Sequence, residues 1–365
     1  MKIRRLKSLL YIFSSVMVLG LALVSFDTMD PAQPVSNAPS PTPVPEGVTA
    51  TITNTPTPAP TQNPKHTATP SPTPTSTPTP TLSPTPTPSL AQVNASIAIQ
   101  PATDDIGTGL TTVITEHLND YYSNKDLQVK EINNITCYYK EGVANVSYFV
   151  YAAYDITYVS SNVPVPTLEE YCVTIDGETI TITKEPEKEE VKEALFLSRA
   201  SQSVSELYIK EFIRRYMNAE LACDEELLNS MIVDSSYIDI KKIEMETQYI
   251  EGYKNFDYIF FKTPDSITEF DYVVYAIFDV KIINISTLAP GMEEYVIVLD
   301  DQNYPVRFFG STSAEADAAL VDIRMQEVYQ NTRQTIENHL MDAMIQDPDL
   351  LEFMERIKNA TGTAE

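Results

Sequence analysis

Hydrophobic and polar positions follow several different rhythms along this chain. Leu9 to Phe26 is an apolar run interrupted only by the small residues Ser14, Ser15, Gly20 and Ser25. Leu110, Val113, Ile114, His117, Leu118 and Tyr121 recur at helical spacing, as do Val204, Tyr208, Phe212, Ile213, Tyr216 and Met217 behind a Ser203-x-x-Glu206 capping box. A short helix is expected to start at Asp224, and Ala314 to Ile345 reads as helix, restarting at Asp347-Pro348 because proline suits a first turn. Glu187 to Glu206 reads as a connecting helix. Tyr148 to Tyr158 and Tyr272 to Ile282 are apolar or aromatic at nearly every position, the pattern of a strand covered on both faces. Further strands are expected over Val129 to Tyr139, Asp239 to Tyr249 and Asp257 to Lys262. Asp176-Gly177 marks a hairpin turn into Glu178 to Thr183, and Asp300 to Asn303 leads likewise into Tyr304 to Phe309.

Two of these strand regions are copies of one another. Shifted by 124 positions, Tyr148 to Asp176 aligns without gaps on Tyr272 to Asp300, with ten of 29 pairs identical. Chance would give roughly two at ordinary residue frequencies. The identical pairs include Tyr151/Tyr275, Asp155/Asp279, Glu169/Glu293, Glu170/Glu294 and Tyr171/Tyr295.

Composition separates the N-terminal quarter from the rest. Of 26 prolines, 18 lie between Pro31 and Pro88, mostly in Thr-Pro and Ser-Pro repeats, which excludes helix and sheet there. About sixty such residues in polyproline II could reach on the order of 190 Å, so the segment reads as a disordered stalk. Lys2, Arg4, Arg5 and Lys7 before the apolar run make residues 9–26 a signal sequence or an uncleaved signal-anchor. As an anchor it forms a single-pass transmembrane helix in the cell membrane, with residues 1–8 in the cytoplasm and everything after Phe26 extracytoplasmic. Residues 1–92 hold five of the 25 basic and three of the 51 acidic groups, so the acidic excess belongs to the remainder. That field argues against nucleic acid and anionic lipid headgroups as partners.

Helices followed by long antiparallel strands define an α+β plan. The stretches YVVYAIFDVKI and LAPGMEEYVIV within it resemble the NTF2-like superfamily, cone-shaped α+β domains, and more narrowly the tandem modules of Gram-positive membrane-anchored surface proteins. The resemblance covers about Ile106 to Phe309. It implies a stalk over 27–93, one NTF2-like domain over 94–185, a connector helix and a second domain over 186–310, and C-terminal helices over 311–365. It implies no single activity, because the superfamily includes isomerases, dehydratases and pure binding modules.

Chemistry is sparse in the sequence. Cys137, Cys172 and Cys223 lack CxxC spacing; the first two fall on neighbouring strands, as a disulfide or as two buried thiols. His117 and His339 sit in helical patterns with no nucleophile or carboxylate motif around them. No glycine-rich phosphate loop, HExxH or EF-hand motif is present, and no cofactor or metal is expected. An isomerase of this type needs a base and an oxyanion donor in the cone, for which Asp155 with Tyr151, or Asp279 with Tyr275, are the candidates. The competing reading makes each Asp a structural polar group. A ligand would meet Tyr275, Asp279, Glu293 and Tyr295. Three functions remain open: a surface binding module for a cell-wall or envelope-protein partner, a small-molecule isomerase or lyase, and a structural spacer.

Overall fold

The computed structural model describes residues 89–360. The expected anchor over 9–26 and nearly all of the stalk lie outside them. Among the described residues no helix is long and apolar enough to cross a membrane.

The architecture is α+β, with two antiparallel sheets and helices against each. Helix α1 (Leu90–Ala95), the two-residue strand β1 (Gln100–Pro101) and helix α2 (Asp105–Tyr122) precede β2 (Val129–Glu141), β3 (Tyr148–Tyr158), β4 (Val165–Asp176) and β5 (Thr179–Thr183). These strands lie side by side in chain order as a meander. Four helices follow: α3 (Glu189–Arg199), α4 (Gln202–Ala222), α5 (Glu225–Ser230) and α6 (Ile240–Thr247). The second meander is β6 (Ile250–Lys262), β7 (Tyr272–Ile282), β8 (Ala289–Leu299) and β9 (Pro305–Arg307), and α7 (Ala314–Met325), α8 (Glu327–Gln346) and α9 (Pro348–Ala360) end it.

The two aligned stretches form the same hairpin in the same register. Tyr148 faces Val173, Tyr151 faces Glu170 and Asp155 faces Pro166 across β3 and β4; Tyr272 faces Ile297, Tyr275 faces Glu294 and Asp279 faces Pro290 across β7 and β8. The strand before each hairpin also repeats. β2 and β6 are both 13 residues long and both bulge, after Asn133 and after Lys254. At each bulge an asparagine takes a left-handed backbone, Asn134 at φ 57° and Asn255 at φ 53°.

Strand alternation sends each copy's side chains into two cores. Val150, Ala152 and Tyr154 pack with Leu110, Ile114 and Leu118 of α2, while Phe149 and Tyr151 pack with α3 and the first half of α4. In the second sheet Val273 and Tyr275 meet Ala316, Leu320 and Ile323 of α7. Val274, Ala276 and Phe278 meet the second half of α4, together with residues of α5, α6, α8 and α9. Helix α4 therefore contributes Val204, Leu207 and Tyr208 to one core and Ile209, Ile213, Tyr216 and Met217 to the other.

Several expected elements differ. Asp239 to Tyr249, expected as strand, is α6: the Asp239 carboxylate accepts from the amides of Lys241 and Lys242 and so starts a helix instead. The strand expected from Asp257 is the second half of β6, read short because Lys254, Asn255 and the bulge break the alternation. The Ser203-x-x-Glu206 box does not cap α4, which begins after Ser201 with no side-chain cap; Glu206 instead accepts from Gln202. The connecting helix breaks at Ala200-Ser201 into α3 and α4, and Ala314 to Ile345 breaks at Gln326. Cys137 and Cys172 are free, buried thiols. They belong to different cores on opposite faces of the first sheet, which rules out the disulfide.

Because one helix completes both cores, losing its packing is expected to loosen both sheets together. Ile213, fully buried, should cost about 3 kcal/mol when cut to alanine. Hydrogen exchange in β3 and in β7 should then accelerate in parallel; acceleration confined to β7 would show the cores to be independent.

Candidate functional site

The Glu doublets point to opposite faces of their strands, and each of the four carboxylates is spent in an ion pair. Glu169 pairs with Lys184 at 2.6 Å and Glu170 with Arg199 at 2.8 Å; Glu293 pairs with Arg307 at 2.9 Å and Glu294 with Arg324 at 2.5 Å. The inner pairs repeat a further detail, a cation over the tyrosine two residues along. Lys184 Nζ lies 5.4 Å from the Tyr171 ring centre, and the Arg307 guanidinium 4.1 Å from that of Tyr295.

Around these repeated pairs the two interiors diverge. In the first, Tyr122 and Tyr154 share a hydroxyl contact of 3.1 Å, and Tyr154 donates to Glu169 at 2.6 Å while Tyr171 donates to the same oxygen. Burial alone would raise the Glu169 carboxyl, but the bonds from Lys184, Tyr154 and Tyr171 hold it below its ordinary range. His117 packs edge-on against Tyr171, with ring centres 5.5 Å apart. In the second interior, Arg307 is enclosed by the rings of Tyr216, Tyr295 and Phe309. The Tyr216 and Tyr295 hydroxyls and Arg307 Nη1 are buried without a hydrogen-bond partner. Burial and the charge of Glu293 push Glu220 up to about 8, with Arg307 opposing them. Burial likewise raises Glu246 to about 7 against the pull of Lys242.

Asp155 and Asp279 hold the bulges. Asn134 Nδ2 donates to Asp155 at 2.7 Å, and Asn255 Nδ2 to Asp279 at 2.6 Å. Asp155, buried, also takes two bonds from Arg214 at 2.8 and 2.9 Å, which fasten α4 to β3. Asp279 is only half-buried. Tyr275 donates to Glu294 at 2.5 Å beneath the Tyr329 ring, and Tyr151 is fully buried in the core under α3. The four expected ligand-binding residues thus divide between two faces: Tyr275 and Asp279 toward α7, Glu293 and Tyr295 toward α4. None of the six residues lines either groove described next.

Where the repeats meet, two open grooves run along α4. The larger, about 510 Å³, has Pro166, Leu168 and Glu170 of β4 as its floor, Tyr208, Phe212 and Arg215 of α4 as a wall, and Leu227, Met231 and Tyr304 from the second repeat. The other, about 440 Å³, runs past Val163 to Val165, Asn218, Ala219 and Ala222. Arg215, Leu227 and Ser230 line both. Arg199 joins the repeats here: it grips Glu170, donates from Nη1 to the Gln302 carbonyl at 3.4 Å, and lies 4.8 Å from the Tyr304 ring centre. Sequence reasoning missed Arg199, Arg215 and Tyr304, since a groove between repeats leaves no mark on either copy. The Arg214-Arg215 doublet was its one visible trace.

Lys140 was also missed. Its buried ammonium donates to the Asn94 carbonyl at 3.1 Å and to Ser198 at 2.5 Å, and burial lowers it to about 8. Among the described residues no cluster of His, Cys, Asp and Glu could hold a metal ion. The class these features define is an α+β protein of two tandem sheets sharing a helix. Comparison with protein-family models, curated proteins and solved structures gives no match.

Two outcomes follow for stability. Asp155→Ala removes two of the buried bonds of Arg214 and the partner of Asn134, leaving Arg214 only Glu211, and should cost about 3 kcal/mol in a denaturant titration, whereas Asp279→Ala should cost about 1 kcal/mol. The folded chain also keeps protons on Glu220 and Glu246 that the unfolded chain releases near pH 4.5. Their contribution is complete below that pH and lost as pH rises through about 7 to 8. Melting temperature should fall across this window, and Glu220→Gln should flatten the fall; an unchanged slope would contradict the assignment.

Proposed function

We propose that the chain is a membrane-anchored, extracytoplasmic binding module of two NTF2-like units, receiving its ligand in the groove where they meet. One observation carries this reading: the 510 Å³ groove draws its lining from both repeats, with polar groups spaced among apolar ones, as binding clefts between compact units do. The apolar segment over 9–26 and the proline-rich stretch after it fit an anchor and stalk that hold such a module away from the membrane. Isomerase or lyase chemistry is the weaker reading, because Asp279 clamps a bulge and Tyr275 is bonded to Glu294. A purely structural spacer has no use for an open cleft at its centre.

Ser230 is exposed and lines both grooves, so Ser230→Trp is expected to fill them without touching either core. Full-length chain, extracted in detergent from its own source, should carry a ligand mass in native mass spectrometry that the variant lacks at equal melting temperature. An identical spectrum for both proteins would remove the groove from consideration.

A further inference from the structure

We propose that the two grooves form one continuous track for an extended peptide, and that Arg215 recognises a carboxylate on it. The inference rests on the groove reading above and supplies the ligand's chemical class.

Arg215 is the cation of the larger groove that no carboxylate holds. Of the groove's three carboxylates, Glu169 is paired with Lys184 and Glu170 with Arg199, while Glu211 shares Arg214 with Asp155. Arg215 makes no ion pair or hydrogen bond, although it lies midway along the track and is half-buried. Its Nε is closed to solvent and has no acceptor. A guanidinium N–H desolvated in this way is a standing cost that an incoming oxyanion relieves, and its fork geometry suits a carboxylate. The remaining buried and half-buried arginines among the described residues all contact a carboxylate. A single arginine without a direct partner in a strongly acidic chain favours a ligand with one carboxylate over a polyanion.

The rest of the lining points to peptide rather than sugar. Sugars need open aromatic faces, and the rings of the larger groove are taken: Tyr208 packs on Tyr304, Arg199 covers Tyr304, and Phe212 lies against Tyr216. What stays available is aliphatic, Leu168, Leu227 and Met231 in one lobe and Val165, Ala219 and Ala222 in the other. Such pockets take the alternate side chains of an extended chain.

The test offers full-length protein in detergent two synthetic octapeptide mixtures. One contains Asp and Glu with free C-termini; the other replaces them with Asn and Gln and is amidated. Retained peptides are identified by mass spectrometry and titrated calorimetrically against wild type, Arg215→Gln, Arg215→Lys and Ser230→Trp. Wild type should retain only the acidic mixture. Arg215→Gln should weaken the retained peptide roughly tenfold to a hundredfold, with Arg215→Lys in between and melting temperatures unchanged. Equal retention of both mixtures, no retention of either, or indifference to Arg215→Gln overturns the inference. If Ser230→Trp nevertheless removes the native ligand mass, the groove reading survives. Peptide binding untouched by Ser230→Trp would defeat both.

Discussion

Helix α4 is the constraint on which the structure turns. Val204, Leu207 and Tyr208 in its first half complete the core under α3, and Ile209, Ile213, Tyr216 and Met217 complete the core of the second sheet. A helix with apolar groups for two separate cores must sit between them, and its polar groups must then find partners at the junction. Arg214 finds Asp155 and Glu211. Arg215, one position on, lines the grooves that run beside the shared helix. The groove is thus a consequence of the joint.

Duplication explains what recurs and also what changed. The bulge with its left-handed asparagine, the aspartate that holds it and the paired glutamates all occur twice, so they are the common plan of both sheets. The changes lie in what each sheet rests on. Asp155 is bonded to Arg214 as well as to Asn134, while among the described residues Asp279 is bonded to Asn255 alone. Glu169 is saturated by two tyrosines and a lysine, whereas Glu293 shares its arginine with the field of Glu220. The second interior sets Glu220, Glu246 and Glu293 against Arg307 and Lys242, and burial raises the first two carboxyls, which ties its stability to pH.

Much of the fold was legible because the hairpin repeats without gaps. The strand before it escaped the same comparison. The loop between β2 and β3 covers 142–147, and its counterpart covers 263–271, so the first strand repeats at a smaller offset than the hairpin. Helix α6 was misread because Ile238, Ile240 and Ile243 mimic a strand, and the deciding signal was a single capping aspartate. The candidate site was legible only in part. Period-two alternation pairs Asp155 with Tyr151 and Asp279 with Tyr275, yet it could not show that Asp155 is bonded to Asn134 and Arg214, Asp279 to Asn255 and Tyr275 to Glu294. Glu293 and Tyr295 were grouped with Tyr275 and Asp279 although the pleat sends them to the other side.

A site formed between copies also bears on why the copies stayed joined. Within one repeat, recognition groups would have to project from a sheet whose two faces are both committed to cores, and the four repeated glutamates there are each held in an ion pair. At the junction that restriction lifts in part, because Arg215, Asn218, Ala222 and Ser230 line the grooves and belong to neither core. Those positions can change with little cost to either sheet, while the Arg199 contacts to Glu170 and to the Gln302 carbonyl keep the two walls in register. Rigid walls and a permissive lining are what a specific cleft needs, and here both come from the way one helix is shared.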